Sequence, residues 1–186
     1  MNPLAEVVRA QRFELVDSRG ALRGSLGVLE DGASRLDLFD QDGKPRACLL
    51  VDAGGAPSLV LADNDGKPRA GLGVDVDGSP SLNFFEKGAM RARLGVDADG
   101  SLWLNLLDQG TIRARLGLDT DGSAWLNLLD KDGRPRAILS LDVDGSPSLG
   151  LAGEDGKTRA GLGVDTEGSP GMMLFDKEGN LLWQAP

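Results

Sequence analysis

Pairs of aspartates two residues apart recur along this 186-residue chain: Asp75 and Asp77, Asp97 and Asp99, Asp119 and Asp121, Asp142 and Asp144. Each pair is followed by Gly-Ser. Clustered carboxylates with oxygen-rich neighbours are the ligand chemistry of Ca²⁺. These eight residues are therefore the candidate metal ligands, with Ca²⁺ the cofactor they would hold. The pattern lacks the further ligands and the terminal bidentate Glu of an EF-hand loop. Asx turns account for the same spacing, because an Asp side chain can cap its own turn and Asp tolerates the turn backbone. Paired carboxylates also serve glycoside hydrolysis. Here, however, every repeat carries them on solvated turns, where nothing raises a pKa. The chain has no His, no nucleophile elbow and no phosphate-binding glycine loop. Gly71–Gly73 and Gly161–Gly163 lie within strand-like alternations and not ahead of a helix. The expectation is a protein that is not an enzyme and has no catalytic residues.

Two tryptophans, Trp103 and Trp125, occupy equivalent positions in successive repeats. They are the candidate ligand-binding residues, as a stacking platform for sugars. The competing assignment lays each ring over a cross-strand glycine, Gly95 and Gly117, whose missing side chain it replaces.

The elements that position these residues follow from the turn glycines. Gly20, Gly32, Gly43 and their successors to Gly179 are separated by gaps alternating between 12 and 10 or 11, a period of about 23 residues. Between them apolar residues alternate with period two, as in Ala70, Leu72 and Val74, which predicts strands. Parity then constrains the turns. Val74 and Leu82 share a face across Asp75–Ser79 only if the loop is odd, so Val76-Asp77-Gly78 predicts a three-residue hairpin with Leu72 opposite Leu82. Across Asp40–Gly43 the parity differs. An even, four-residue loop is expected there, pairing Leu36 with Ala47 and Asp37 with Arg46. In Asp108-Gln-Gly110 one residue is deleted, and the loop is expected to become odd.

The fold class predicted is all-β: tandem hairpin repeats of about 23 residues in an extended meander sheet, with a two-sided β-solenoid as the alternative. Residues 1–11 form an irregular lead-in and residues 12–186 a single repeat domain. Fifteen turn glycines imply about fifteen to sixteen strands, so the sheet would span ~75 Å at ~4.8 Å per strand. One face is a continuous apolar ladder, which must be covered. A homo-oligomer, dimer or trimer, joined through that face is the expected partner arrangement.

Asp-x-Asp-Gly-Lys-Pro-Arg-Ala at 40–47 and Leu-Gly-Val-Asp-x-Asp-Gly-Ser at 72–79 resemble tandem Asp-Gly repeats of uncharacterised bacterial proteins, over nearly the whole chain. Phe39-Asp-Gln-Asp-Gly43 is similar, more distantly, to the Tyr-Asp-x-x-Gly core of YD (Rhs-type) repeats. The resemblance implies a repetitive β architecture and brings no activity with it.

The net charge is −9, which opposes phosphate-backbone and anionic-membrane binding. No nucleic acid and no membrane is expected as a partner. A single cysteine, Cys48, precludes an internal disulfide framework. No segment reads as a secretory signal or membrane helix. The chain is expected to be cytoplasmic, or exported by a non-classical route. The functional expectation is a structural scaffold, a self-associating rod, plate or fibre segment. The alternative is a Ca²⁺-stiffened adhesin or phage-fibre-like binding module.

Overall fold

A computed structural model describes residues 7–186. The first six residues of the expected lead-in lie outside the described residues. Residues 7–11 precede the first strand. The chain divides into two compact units, Met1–Gly88 and Ala89–Pro186.

The first unit holds seven strands: β1 (Arg12–Val16), β2 (Leu22–Val28), β3 (Ser34–Phe39), β4 (Pro45–Val51), β5 (Pro57–Ala62), β6 (Pro68–Val74) and β7 (Pro80–Glu86). The second holds nine: β8 (Ala89–Val96), β9 (Leu102–Asp108), β10 (Thr111–Leu118), β11 (Ala124–Leu129), β12 (Pro135–Leu141), β13 (Pro147–Ala152), β14 (Thr158–Val164), β15 (Pro170–Phe175) and β16 (Leu181–Ala185). Among the described residues there is no helix. Within each unit every strand pairs antiparallel with its sequence neighbour. This is the expected hairpin meander. The solenoid alternative, which needs parallel pairing between successive coils, is not what the chain forms.

Apart from the shortened turns at Lys87-Gly88 and Gln109-Gly110, the hairpins close at both strand ends with one loop type. Asp75 N–H donates to Ser79 O at 3.0 Å and Gly78 N–H to Asp75 O at 2.9 Å. The same pair of bonds closes Asp40–Lys44, at 3.0 and 3.1 Å. Each loop is a type I turn completed by a glycine at positive φ, +89° at Gly78, where other residues are strained. The expected register at 75–79 is observed, with Leu72 opposite Leu82 and Ala70 opposite Phe84.

At 40–44 the expectation of a four-residue loop is wrong. The loop has three residues, and the parity mismatch is absorbed inside the strand. Phe39 faces Pro45, the register then shifts, and Leu38 faces Ala47. Leu36 therefore lies opposite Leu49, and Asp37 opposite Cys48, not Arg46. The residue skipped is Arg46. Without this β-bulge Arg46 would fall opposite Leu38 and carry a guanidinium into the apolar ladder. The same shift skips Arg23, Arg69, Arg136 and Arg159. A bulge places one extra residue against a single partner and leaves it unpaired, which frees these arginines for other bonds.

The shortened turn after Asp108 also differs from expectation. Its loop is even: Asp108 faces Thr111 across Gln109-Gly110, with φ of +50° and +82°. Two residues at positive φ make the type I′ turn suited to strand twist. A bulge skipping Arg113 then restores the face, so that Leu106 meets Ala114.

The pairings sort the side chains onto two faces. One carries an all-apolar central row: Phe13, Leu26, Leu36, Leu49, Leu59, Leu72 and Leu82 in the first unit. In the second it runs Leu94, Leu104, Leu116, Leu126, Leu139, Leu149, Leu162 and Met172. The other face carries Gly, Ser, Asn, Arg and Trp. Among the described residues, strands within each unit touch only their sequence neighbours, and no second layer covers either face. Among the described residues only Ala33 and Trp103 are buried apolar residues.

Candidate functional site

The second aspartate of each Ser-type turn is occupied by the turn itself. Asp77, Asp99, Asp121 and Asp144 each accept the backbone N–H two residues on, from Ser79, Ser101, Ser123 and Ser146, at 2.9–3.0 Å. That N–H, with the serine hydroxyl, holds the carboxyls of Asp77, Asp121 and Asp144 below the ordinary aspartate range, because both bonds favour the charged form. In the Lys-Pro-Arg turns the first aspartate takes this role. Asp40 Oδ1 accepts from Asp42 N–H and Lys44 N–H, both at 3.0 Å. Asp63 and Asp130 repeat the arrangement.

Releasing the first aspartate of the Ser-type turns gives it a different task in two repeats. Asp97 Oδ1 accepts from Trp103 Nε1–H at 2.8 Å and Asp119 Oδ1 from Trp125 Nε1–H at 3.1 Å. Each indole lies over its cross-strand glycine, Trp103 on Gly95 and Trp125 on Gly117. A Cβ at Gly95 would stand 2.6 Å from Trp103 Cζ2, and one at Gly117 would stand 2.1 Å from Trp125 Cζ2. A guanidinium also lies over each ring. The guanidinium of Arg93 sits 4.9 Å from the Trp103 centroid, and that of Arg115 5.2 Å from the Trp125 centroid. Cation–π attraction holds in this range. Trp103 is 8% exposed. Trp103 is thus engaged by the chain's own groups, and Trp125, half-buried, makes the same set of contacts.

The structure does not bring the eight candidate metal ligands together. Among the described residues no three Asp, Glu, Cys or His side chains converge on a point that would hold an ion. Successive Ser-type turns within a unit are two strands apart, ~9.6 Å, whereas Ca²⁺ ligands stand at ~2.3–2.6 Å. The acidic turns read as turn chemistry at each position where a bond is observed.

Two networks escaped the sequence reading. The bulge arginines reach the next hairpin: Arg46 Nε–H donates to Ala62 O at 3.1 Å, Arg113 to Leu129 O at 3.1 Å and Arg136 to Ala152 O at 2.9 Å. Lys44 Nζ donates to Asn64 O and Lys157 Nζ to Glu178 O. These segments, at 44–46, 111–113, 134–136 and 157–159, thus tie their turns to the ones after them. The only sequence signal was their recurrence at one strand end. The second network is Arg35 Nε on Asp37 at 2.7–2.8 Å, beside Cys48, whose thiol burial pushes upward. Asp37 is 8% exposed. Arg-x-Asp on one strand face was a readable signal, since i and i+2 share a side.

No family model and no curated protein matches this chain. Among solved structures, the SAS-4 (dCPAP) TCP domain of Drosophila melanogaster, in complex with a proline-rich motif of Ana2 (dSTIL), is similar over 100% of this chain and 99% of its own. Identity there is 12% and the TM-score 0.30. A mutant of S. aureus TarM, in complex with Fondaparinux, alpha-GlcNAc-glycerol and UDP, aligns over 73% of this chain and 20% of its own, at 9% identity and a TM-score of 0.19. Likenesses at this level carry no argument about the chain.

Where the tryptophans are absent, the equivalent positions are Ser58, Ser81, Ser148 and Gly171. Shallow troughs remain there. One of ≈ 460 Å³ is bordered by Ser58, Gly71, Gly73, Ser81 and Phe85. Another of ≈ 430 Å³ is bordered by Ser148, Gly163, Gly171 and Gln184.

No helix among the described residues is long and apolar enough to cross a membrane.

Proposed function

We propose that this protein is a non-enzymatic scaffold that self-associates through the apolar faces of its sheets. The observation that supports this is the central ladder row, unbroken in each unit and uncovered. Most of its leucines are 37–52% exposed, as at Leu36 and Leu116, with Leu82 and Leu104 half-buried. Contiguous apolar patches beyond a few hundred Å² mark interaction sites, and this face continues across every strand of both units. On the polar face the indoles of Trp103 and Trp125 and the guanidinium of Arg115 bond to the chain's own groups. The turn carboxyls with resolved shifts are held low and charged, the reverse of the raised pKa a general acid needs.

Light scattering with size-exclusion chromatography at micromolar concentration tests the reading. The wild-type chain is expected to elute as a defined oligomer, and Leu116→Lys as a smaller species with unchanged far-UV circular dichroism. A monomeric wild-type chain across the accessible concentration range would sink it.

A further inference from the structure

Beside the all-apolar row runs a second one, and its composition is regular. In the first unit it reads Leu15, Gly24, Leu38, Ala47, Leu61, Ala70, Phe84, each facing the next across one strand pair. In the second it reads Ala92, Leu106, Ala114, Leu128, Ala137, Leu151, Ala160, Leu174, Trp183. Large and small alternate at every strand from Leu15 to Phe84 and from Ala92 to Leu174, and only the last strand, with Trp183 beside Leu174, departs from the pattern. The large members stand out: Leu38 is 46%, Leu106 46%, Leu128 49% and Leu151 44% exposed. The result is a corrugation of ridges and hollows repeating every two strands, ~9.6 Å.

Nothing within one strand meander requires this alternation, because neighbouring leucines are tolerated throughout the adjacent row. It is what an opposing surface requires. Facing layers interdigitate when large residues on one meet small residues on the other. We infer, on the footing of the self-association proposed above, that the occupant of this face is a second copy of the same chain, packed ridge into hollow. Its sheet is related by a two-fold axis running parallel to the strands and lying between two adjacent strands.

Symmetry selects that axis. A two-fold parallel to the strands keeps each residue's height along the strand, so this row faces itself. It reverses strand order, and when it passes between neighbouring strands it exchanges odd and even positions. Every Leu that faces a strand of the small class other than the last then meets an Ala or Gly of the other copy; Trp183 alone stands large at a small position. A two-fold perpendicular to the strands keeps strand order and sets Leu over Leu. The parallel axis also leaves the strand directions of the two sheets aligned, within the ~30° that twisted sheets adopt when stacked ~10 Å apart.

The available area suits such a partner. The chain exposes 12720 Å², whereas a compact chain of this length exposes about 8500 Å² by surface scaling. A one-layer sheet has two open faces, so about half of the roughly 4000 Å² difference, ~2000 Å² per chain, falls on this face; that exceeds the ~800 Å² per partner of a standard interface, and the area two copies bury together lies in the obligate range.

The test is a pair of substitutions that add apolar surface. Ala114→Ile with Ala137→Ile fills two hollows of the second unit, and β-branched residues favour the strand. If sheets merely stacked by apolar attraction, the variant would associate more tightly. Interdigitation predicts the opposite: a dissociation constant raised at least tenfold in sedimentation equilibrium, with unchanged circular dichroism. Should that double variant fail to fold, Ala160→Ile alone is expected to weaken association in the same sense, by several-fold. Association equal to or tighter than wild type overturns the ridge-into-hollow packing. If Leu116→Lys still dissociates the complex, self-association survives that result. A wild-type chain that stays monomeric overturns both.

Discussion

At Gly117 the backbone makes room for an indole. The Trp125 ring lies so close that a Cβ there would stand 2.1 Å from Cζ2 and 2.3 Å from Cε2, distances no relaxed structure holds. Gly117→Ala is therefore expected to force Trp125 off the strand and break its Nε1–H bond to Asp119. The cost is about 1–3 kcal/mol, the usual range for overpacking. Differential scanning calorimetry reads the loss, and tryptophan emission shifts to the red as the ring enters water. Gly171→Ala, with open space around its Cβ, is the control; equal losses at both sites would refute the account. The Trp–Gly contact was legible because strand parity and hairpin length fix which residues face each other. What covers the outer ring face was not. Arg93 and Arg115 reach the indoles diagonally, through long side chains whose direction no spacing encodes. Nor did the sequence show which aspartate of each pair caps its turn. That choice depends on which neighbours compete for the oxygens. Asp165 caps its own turn where Glu167 replaces the second Asp.

A strand's faces and a strand's register are different quantities, and only the first follows from periodicity. The parity of Leu38 and Ala47 required an odd adjustment somewhere, and the even-loop expectation put it in the turn. The structure puts it one residue into the strand, as a bulge that expels Arg46. Both solutions keep every apolar residue on the correct side, and they differ by a slip of two residues, to which alternation is blind. What distinguishes them is the Arg46 side chain, whose Nε–H bonds the carbonyl of Ala62. Bulge and arginine thus form one device that, at Arg46, Arg113 and Arg136, staples a hairpin to the next. Arg136→Met tests it, because the stem remains while the bond to Ala152 O and the 3.6 Å pairing with Asp130 are lost. The expected cost is about 0.5–1.5 kcal/mol in chemical denaturation. Faster amide exchange is expected at 153–156, the turn that Arg136 tethers. Unchanged exchange there would show that the arginine is decoration and that the bulge alone sets the register.

The stapling also separates charge across each unit. In the second unit the Ser-type turns carry Asp97, Asp99, Asp119, Asp121, Asp142, Asp144, Asp165 and Glu167, with no Lys or Arg among them. The turns at the other strand ends mix both signs, as in Asp130-Lys131-Asp132-Gly133-Arg134-Pro135-Arg136. One edge of the unit is thus a row of like charges, with successive turns ~9.6 Å apart. That distance is close to the Debye length at physiological ionic strength, ~8 Å, and well inside the ~30 Å at 0.01 M. Repulsion along the edge should therefore oppose folding at low salt and fade as salt is added. Melting temperature is expected to rise between 0.01 M and 0.15 M NaCl, then to flatten. A variant with Asp99→Asn and Asp121→Asn, each keeping the side-chain oxygen that caps the turn, is expected to melt higher than wild type at 0.01 M and to lose most of that advantage at 0.5 M. Ion pairing dominates stability only if the trend reverses, with melting falling as salt screens the Arg–Asp contacts. The exposed pairs are too weak for that, since each contributes ~0–1 kcal/mol. A specific Ca²⁺ effect separates cleanly in the same titration: CaCl₂ matched to NaCl in ionic strength would raise the melting temperature further only if the carboxylates bound the ion. The capped aspartates and the ~9.6 Å gaps between turns predict that the two salts act alike.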